Sequence, residues 1–186
     1  MGRVIVGTTL SLDGFINDRN GSVEALYPDL ATWRETESGR KSIQNTGAVV
    51  MGRNSFDMAE DPDSLAENYE YQVPIFVLTH WPPERQPKET STLTFTFVTS
   101  GIESAIRQAK AAAGDKDVTV IGATSTSQQC LTAGLADELH VDIMPVLLGE
   151  GLPFFENDGM DQIRLERAQV VELPAGRTHL EFRIVK

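Results

Sequence analysis

Residues 118–130 read VTVIGATSTSQQC, and this stretch decides the fold. Val118 to Ile121 are all apolar or β-branched, the composition of a strand buried on both faces. Gly122 and Ala123 then turn the chain. Thr124, Ser125 and Thr126 offer hydroxyls to the amides of a helix that the spacing carries from Ser125 to Ala133, where Gly134 closes it. A buried strand that runs straight into a helix is half of a βαβ unit, so its sheet is expected to be parallel.

The pattern extends in both directions. Upstream, Ile102, Ala105, Ile106, Ala109 and Ala113 recur at helical intervals up to Gly114, behind a capping-box spacing at Ser100 and Glu103. Strands are expected at Arg3–Leu10, Ala48–Met51, Pro74–Thr79 and Leu93–Val98, and one helix from Asp29 to Asn45. Downstream, Leu139–Leu148 reads as a sixth strand that tolerates Pro145 only near an edge or bulge. Ile163–Glu172 and Thr178–Val185, joined by LPAG, read as an antiparallel pair. The sum is an α/β fold with a mainly parallel sheet covered on both faces and an antiparallel edge. At 186 residues and 40% hydrophobic content, a single domain spanning 1–186 with a proper core is expected.

Composition removes several classes of function. Sixteen Lys and Arg stand against 27 Asp and Glu, a formal charge of −11, which disfavours a general electrostatic grip on nucleic acid or on an anionic membrane. Cys130 is the only cysteine, so neither an intrachain disulfide, a thiolate zinc cluster nor a Cys-X-X-Cys pair can form. With no secretory h-region, no run near the roughly 20 apolar residues of a membrane span and no myristoylation pattern, a cytoplasmic protein is expected. His80, His140 and His179 lack close metal-ligand spacing, so no metal is expected, and the last two read as structural histidines in strands. The G-x-G-x-x-G, P-loop and G-x-S-x-G signatures are all missing.

Three strand ends carry chemistry. In open α/β sheets ligands collect beyond the carboxyl ends of the strands, where helix N-termini present free N–H groups. Gly122 to Thr126 could bind a phosphate through amides and hydroxyls, although the same residues also make an ordinary capped turn. Arg53, after Gly52 in VVMGRNSF, is opposed by the helix dipole by roughly 0.3–1 kcal/mol unless an anion lies between it and the amides of Asn54 and Ser55. Thr79 and His80 end a third strand, as a further contact or as plain polar surface. Side by side, these ends would line one crevice suited to an extended, multiply phosphorylated ligand.

SLDGFI after the first strand, VVMGRNSF, FVLT, the run from Val120 to Phe155 and the terminal hairpin together resemble the dihydrofolate reductase-like superfamily. Within it the chain is most similar to the reductase domain of the riboflavin-biosynthesis deaminase-reductase and its stand-alone bacterial relatives, with AGLADELHVDIMPVLLGEG the most specific match. The resemblance implies a three-layer α/β/α dihydrofolate reductase-like fold and an oxidoreductase that binds NADPH. It implies Gly52, Arg53 and Ser55 at the cofactor phosphates, Leu78 and Thr79 on the adenosine side, and Gly122, Ala123, Thr124, Ser125 and Thr126 at the pyrophosphate. The reaction implied is hydride delivery to a C=N or C=O carbon of a small, pterin- or pyrimidine-like substrate. Asp13 is the candidate for substrate positioning or proton supply, with a plain Asp-Gly turn as its other reading, and Glu150 is a candidate on the substrate rim. Asp29, Glu35 and Glu37 lie in the helix where the folate enzyme keeps its pterin carboxylate, and the sequence does not choose among them. A homodimer is implied, with LHVDIMPVLL apolar enough to take part; a nucleotide-binding sensor without turnover is the competing function.

Overall fold

Alternation of apolar residues on β1 (Val4–Ser11) sorts the chain into two faces. Val4, Val6 and Leu10 enter one core cluster, whereas Ile5, Gly7 and Thr9 face a cavity on the other side. The computed structural model describes residues 2–59, 61–122, 124–155 and 162–186. After β1 come α1 (Leu30–Glu35), α2 (Glu37–Asn45), β2 (Thr46–Gly52), α3 (Arg53–Asp57) and α4 (Leu65–Asn68). There follow β3 (Ile75–Leu78), β4 (Phe95–Val98), α5 (Ile102–Ala113), β5 (Asp117–Ile121) and α6 (Thr124–Thr132). The chain closes with β6 (Glu138–Met144), β7 (Arg164–Glu172) and β8 (Thr178–Val185).

The strands form one sheet in the order β4-β3-β2-β5-β1-β6-β8-β7. Every pairing is parallel except those of β8, which runs antiparallel to both β6 and β7. On the first face, Ala105, Ile106 and Ala109 of α5 and Cys130 and Leu131 of α6 pack against Val4, Val6, Val50, Val118 and Val120. On the second, Phe56, Ile43 and Leu65 cover Val49, Met51, Ile75 and Val77. This is the three-layer, mainly parallel arrangement expected.

The second face is largely apolar beneath β2–β4. Under β5, β1, β6 and β8 it carries Asp117, Thr119, Thr9, His140, Asp142, His179 and Glu181. A sheet face that polar cannot seal against a helix without partners, and a cavity remains there.

Three expectations need correction. The helix expected over Asp29–Asn45 is two helices: Thr36 is extended (φ −69°, ψ 160°), its Oγ1 accepts from the Gly39 amide, and it caps α2. The capping box at Ser100 is not formed. Gly101, at φ 89°, is the N-cap and no side chain caps α5, because that left-handed backbone suits glycine and places Ser100 outside the helix. The strand expected over Leu139–Leu148 ends at Met144: β6 (Glu138–Met144) lies inside the sheet between β1 and β8, and Pro145 to Leu148 lie beyond it. The edge is β7, where Leu165 and Val170 are exposed.

Candidate functional site

Two cavities lie on either side of the end of β5. β1 and β5 pair only as far as Gly7 and Ile121, while β1 continues to Ser11 beside β6 alone, so the strands part at this point. Ile121 lines the first cavity, and a side chain at Gly122 would meet Gly52 N and Ser55 Oγ, each 3.3 Å from its Cβ, behind the second.

The second cavity, about 410 Å³, gathers most of the residues expected at the cofactor: Gly52, Arg53, Leu78, Thr79, Ser125 and Thr126 line it, with Asn54, His80, Trp81 and Gln129. Gly52 is required by close approach, since a Cβ there would fall 2.5 Å from Thr126 Oγ1. Arg53 lies in the cleft with Nε 2.8 Å from Asp57 and Nη1 donating to the Trp81 carbonyl at 2.9 Å. That half-exposed i,i+4 pair is worth about 0.3–0.5 kcal/mol, little enough for an anion to displace it. Thr79 Oγ1 donates to the Trp81 carbonyl and accepts from its amide, which shapes the turn that leaves the Trp81 indole 80% exposed at the cleft.

Other candidates sit elsewhere. Thr124 is buried, and its Oγ1 donates to the Pro153 carbonyl at 2.7 Å, fastening the segment before Phe154. Ala123 lies outside the described residues. Asp13 lines neither cavity: its carboxylate accepts from the amides of Leu148 (3.1 Å) and Gly149 (2.7 Å). The Ser11 hydroxyl and these amides hold its pKa below the usual carboxylate value, and the same two amides tie the loop after β1 to the 148–149 backbone. Further bonds join the same two loops, Leu12 N to Val146 O and Phe154 N to Gly14 O. Glu150 is exposed and lines neither cavity.

The first cavity, about 160 Å³, lies between the polar sheet face and a roof that includes Tyr27, Leu30, Trp33 and Ser42. Of the three helix carboxylates left open, Asp29 is the buried one, whereas Glu35 and Glu37 are exposed. Asp29 is already engaged. Arg177, 2% exposed, forks onto it at 3.1 and 2.5 Å and also reaches Asp142 (3.1 Å), Thr9 Oγ1 (3.3 Å) and the Leu26 carbonyl (3.2 Å). Burial opposes the Arg177 charge, but the bonds to Asp29 and the charge of Asp142 outweigh it and raise its pKa.

Beside Arg177, His140 and His179 stand with ring centroids 5.7 Å apart at 90°. Burial lowers the pKa of His140 against a bond to Glu138 at 3.0 Å. Burial also works against a charged His179, but Asp142 at 2.6 Å, with Glu181, outweighs it and raises that pKa. Sequence spacing separated these residues; the strand register joins them, pairing His140 with Glu181 and Asp142 with His179. The paired motifs His-Val-Asp (140–142) and His-Leu-Glu (179–181) were the available signal.

The family described as RibD C-terminal domain matches residues 3–178. The chain belongs to that family. It is 28% identical over 166 residues to the uncharacterized protein YyaP of Bacillus subtilis, covering 82% of this chain and 80% of that one. Among solved structures it is similar to a putative riboflavin biosynthesis protein from Shewanella sp. PV-4, at 24% identity and TM-score 0.78 over 99% of both chains. It is also similar to dihydrofolate reductase from Enterococcus faecalis complexed with NADP(H), at 14% identity and TM-score 0.66, over 100% of this chain and 98% of that one. At these identities the structures establish the dihydrofolate reductase-like fold. Membership of the RibD C-terminal family supports a reductase-type function. Among the described residues no helix is long and apolar enough to cross a membrane.

Proposed function

We propose that this member of the RibD C-terminal family is an NADPH-dependent reductase that transfers a hydride to a C=N or C=O carbon of a small, pterin- or pyrimidine-like substrate. The observation that carries the reading is the pair of cavities near the end of β5, one lined by hydroxyls and Arg53, the other smaller and rich in donors and acceptors. The residues fit the cofactor: Gly52 and Gly122 keep the backbone bare where a Cβ would crowd Thr126 or Ser55. Ser125, Thr126 and the amides opening α6 would hold the pyrophosphate, and Arg53, released from Asp57, a further phosphate. Leu78, Thr79 and the exposed Trp81 indole would receive the adenosine. NADPH, when bound, supplies the hydride. The chain's own part is orientation and exclusion of water: Ile5, Gly7 and Ile121 form a floor on which a flat ring can lie, and Thr9, Ser42 and Asn45 offer hydrogen bonds to its edge.

The same proposal takes the working form to be a homodimer through the exposed β7–β8 face that carries Leu165 and Val170. The test of the main reading is a melting scan with NADPH, NADH or neither, followed by reduced-nicotinamide absorbance over a panel of pterins, aminopyrimidines and carbonyl compounds. Stabilisation of about 2.7 kcal/mol at 100 times the dissociation constant, with oxidation by one panel member, is the expected result. Stabilisation with no oxidation across the panel would favour a nucleotide-binding sensor, and the lack of both would remove the proposal.

A further inference from the structure

β6 and β8 set six ionisable side chains on one face of an antiparallel pair: Glu138, His140 and Asp142 on one strand, His179, Glu181 and the exposed Arg183 on the other. A carboxylate only accepts hydrogen bonds, so each histidine is oriented by its carboxylate neighbour. His179 donates from Nδ1 to Asp142 at 2.6 Å, and His140 donates from Nε2 to Glu138 at 3.0 Å. The second nitrogen of each ring is the one turned away from that carboxylate. One ring nitrogen of each histidine and a Glu181 oxygen lie within 4.8 Å of one another.

The ion pairing of this block is uneven. Glu138 has its own arginine, Arg3, at 2.9 Å, and Asp142 has Arg177 at 3.1 Å. Glu181 has no arginine or lysine among the described residues, and its one ion partner is His179 Nε2, 3.3 Å away. With Nδ1 of His179 already donating to Asp142, Nε2 is the ring atom that faces Glu181. A divalent ion held between this ring, His140 and the Glu181 carboxylate would supply the cation that no arginine or lysine supplies there.

We propose that His140, His179 and Glu181 bind one divalent transition-metal ion of the zinc class, with Glu138 and Asp142 as the carboxylates that orient the two imidazoles. Two imidazoles and a carboxylate select a first-row ion over calcium or magnesium. Three protein ligands leave a coordination position open to the cavity that these residues line, available to water or to a small oxygen or nitrogen donor. The site goes beyond the reductase reading and does not depend on it.

The test uses the untagged full chain, freed of metal with a chelator and titrated with Co²⁺ for its visible absorption and with Zn²⁺ by calorimetry. The expected result is one ion per chain, with the Co²⁺ band that four-coordinate nitrogen and oxygen ligation gives. His179→Gln and Glu181→Gln should abolish stoichiometric binding, and Asp142→Asn and Glu138→Gln should weaken it about 10–100-fold. The wild-type titration decides by itself if a variant misfolds: no stoichiometric binding overturns the site. Unchanged affinity in folded His179→Gln and Glu181→Gln overturns it equally. NADPH stabilisation measured on the metal-free protein reports the cofactor cleft separately, so either reading can fail alone.

Discussion

Arg177 is the side chain on which the small cavity is built, because one buried guanidinium holds Asp29 at the start of α1, Asp142 on β6 and the Leu26 carbonyl at once. Removing it would leave the buried Asp29 without its ion partner and Asp142 with His179 alone. Arg177→Met is expected to lose about 3–5 kcal/mol in urea unfolding, and Arg177→Lys to recover little of it, since one ammonium cannot reproduce the fork. Gly7 gives the opposite kind of prediction. A Cβ at this position meets nothing within 4 Å, so Gly7→Ala should fold normally, with an unchanged melting temperature of the free chain, while lowering turnover because it raises the floor on which the rings lie. At this scale the sequence was legible where a residue's position follows from a strand end, as for Gly52, Thr79, Ser125 and Thr126, which line one cavity. It was illegible where a side chain acts at long range. Asp13, a candidate for substrate positioning or proton supply, accepts from the 148–149 backbone, a contact that no local pattern encodes. His140, His179 and Glu181 meet only through a register that spacing does not encode.

Elements here are held at their ends by polar contacts that periodicity does not reveal. Asp137, just before β6, accepts from the Val4 amide at 2.9 Å and from Lys186 Nζ at 2.6 Å, tying the start of β1 to the end of β8. Burial works to raise its pKa, but Lys186 and the Val4 amide prevail and lower it below 3.8. The unfolded chain therefore takes up a proton at Asp137 at a higher pH than the folded one. Its contribution to stability is complete well above pH 3.8 and is lost as pH falls through the folded value. Asp137→Asn should lower stability at neutral pH and flatten its acid dependence, as followed by urea unfolding between pH 7 and pH 3. The β7–β8 turn offers a second check. Ala175 is the one non-glycine with positive φ (59°) among the described residues. That conformation costs an L-residue about 1–2 kcal/mol, part of which glycine's extra freedom in the unfolded chain cancels. Ala175→Gly is expected to raise the unfolding free energy by up to about 1 kcal/mol. Helix and strand positions were readable from period and composition; the break at Thr36 was not, because any residue adopts its extended angles, and the Gly101 cap was not, because Ser100 offered a capping side chain one residue earlier.

The whole sheet shows why the reading from sequence succeeded as far as it did. Parallel strands buried on both faces declare themselves by apolar runs, and the two closing strands by their short turn, so the layers and the antiparallel edge were readable. Strand order was not, and with it went the polar second face of β5, β1, β6 and β8, since alternation within one strand does not say which neighbours share its face. At the edge, β7 is exposed along nearly its whole length. If the β7–β8 face is the homodimer contact, Leu165→Glu combined with Val170→Glu should halve the mass measured by light scattering without lowering the melting temperature of the NADPH-bound chain by more than a few degrees. An unchanged mass in the folded variant would place the contact elsewhere.

The central claim is that the strand ends of β2, β3 and β5 form one nucleotide cleft opening at the end of β5 toward the small cavity. A crystal structure of the chain with NADP⁺ tests it most directly. The account predicts pyrophosphate density against Ser125 and Thr126 with the nicotinamide at Gly7 and Ile121. Density that lies away from Gly52 and Thr126, or a nicotinamide pointing out of the small cavity, would contradict it.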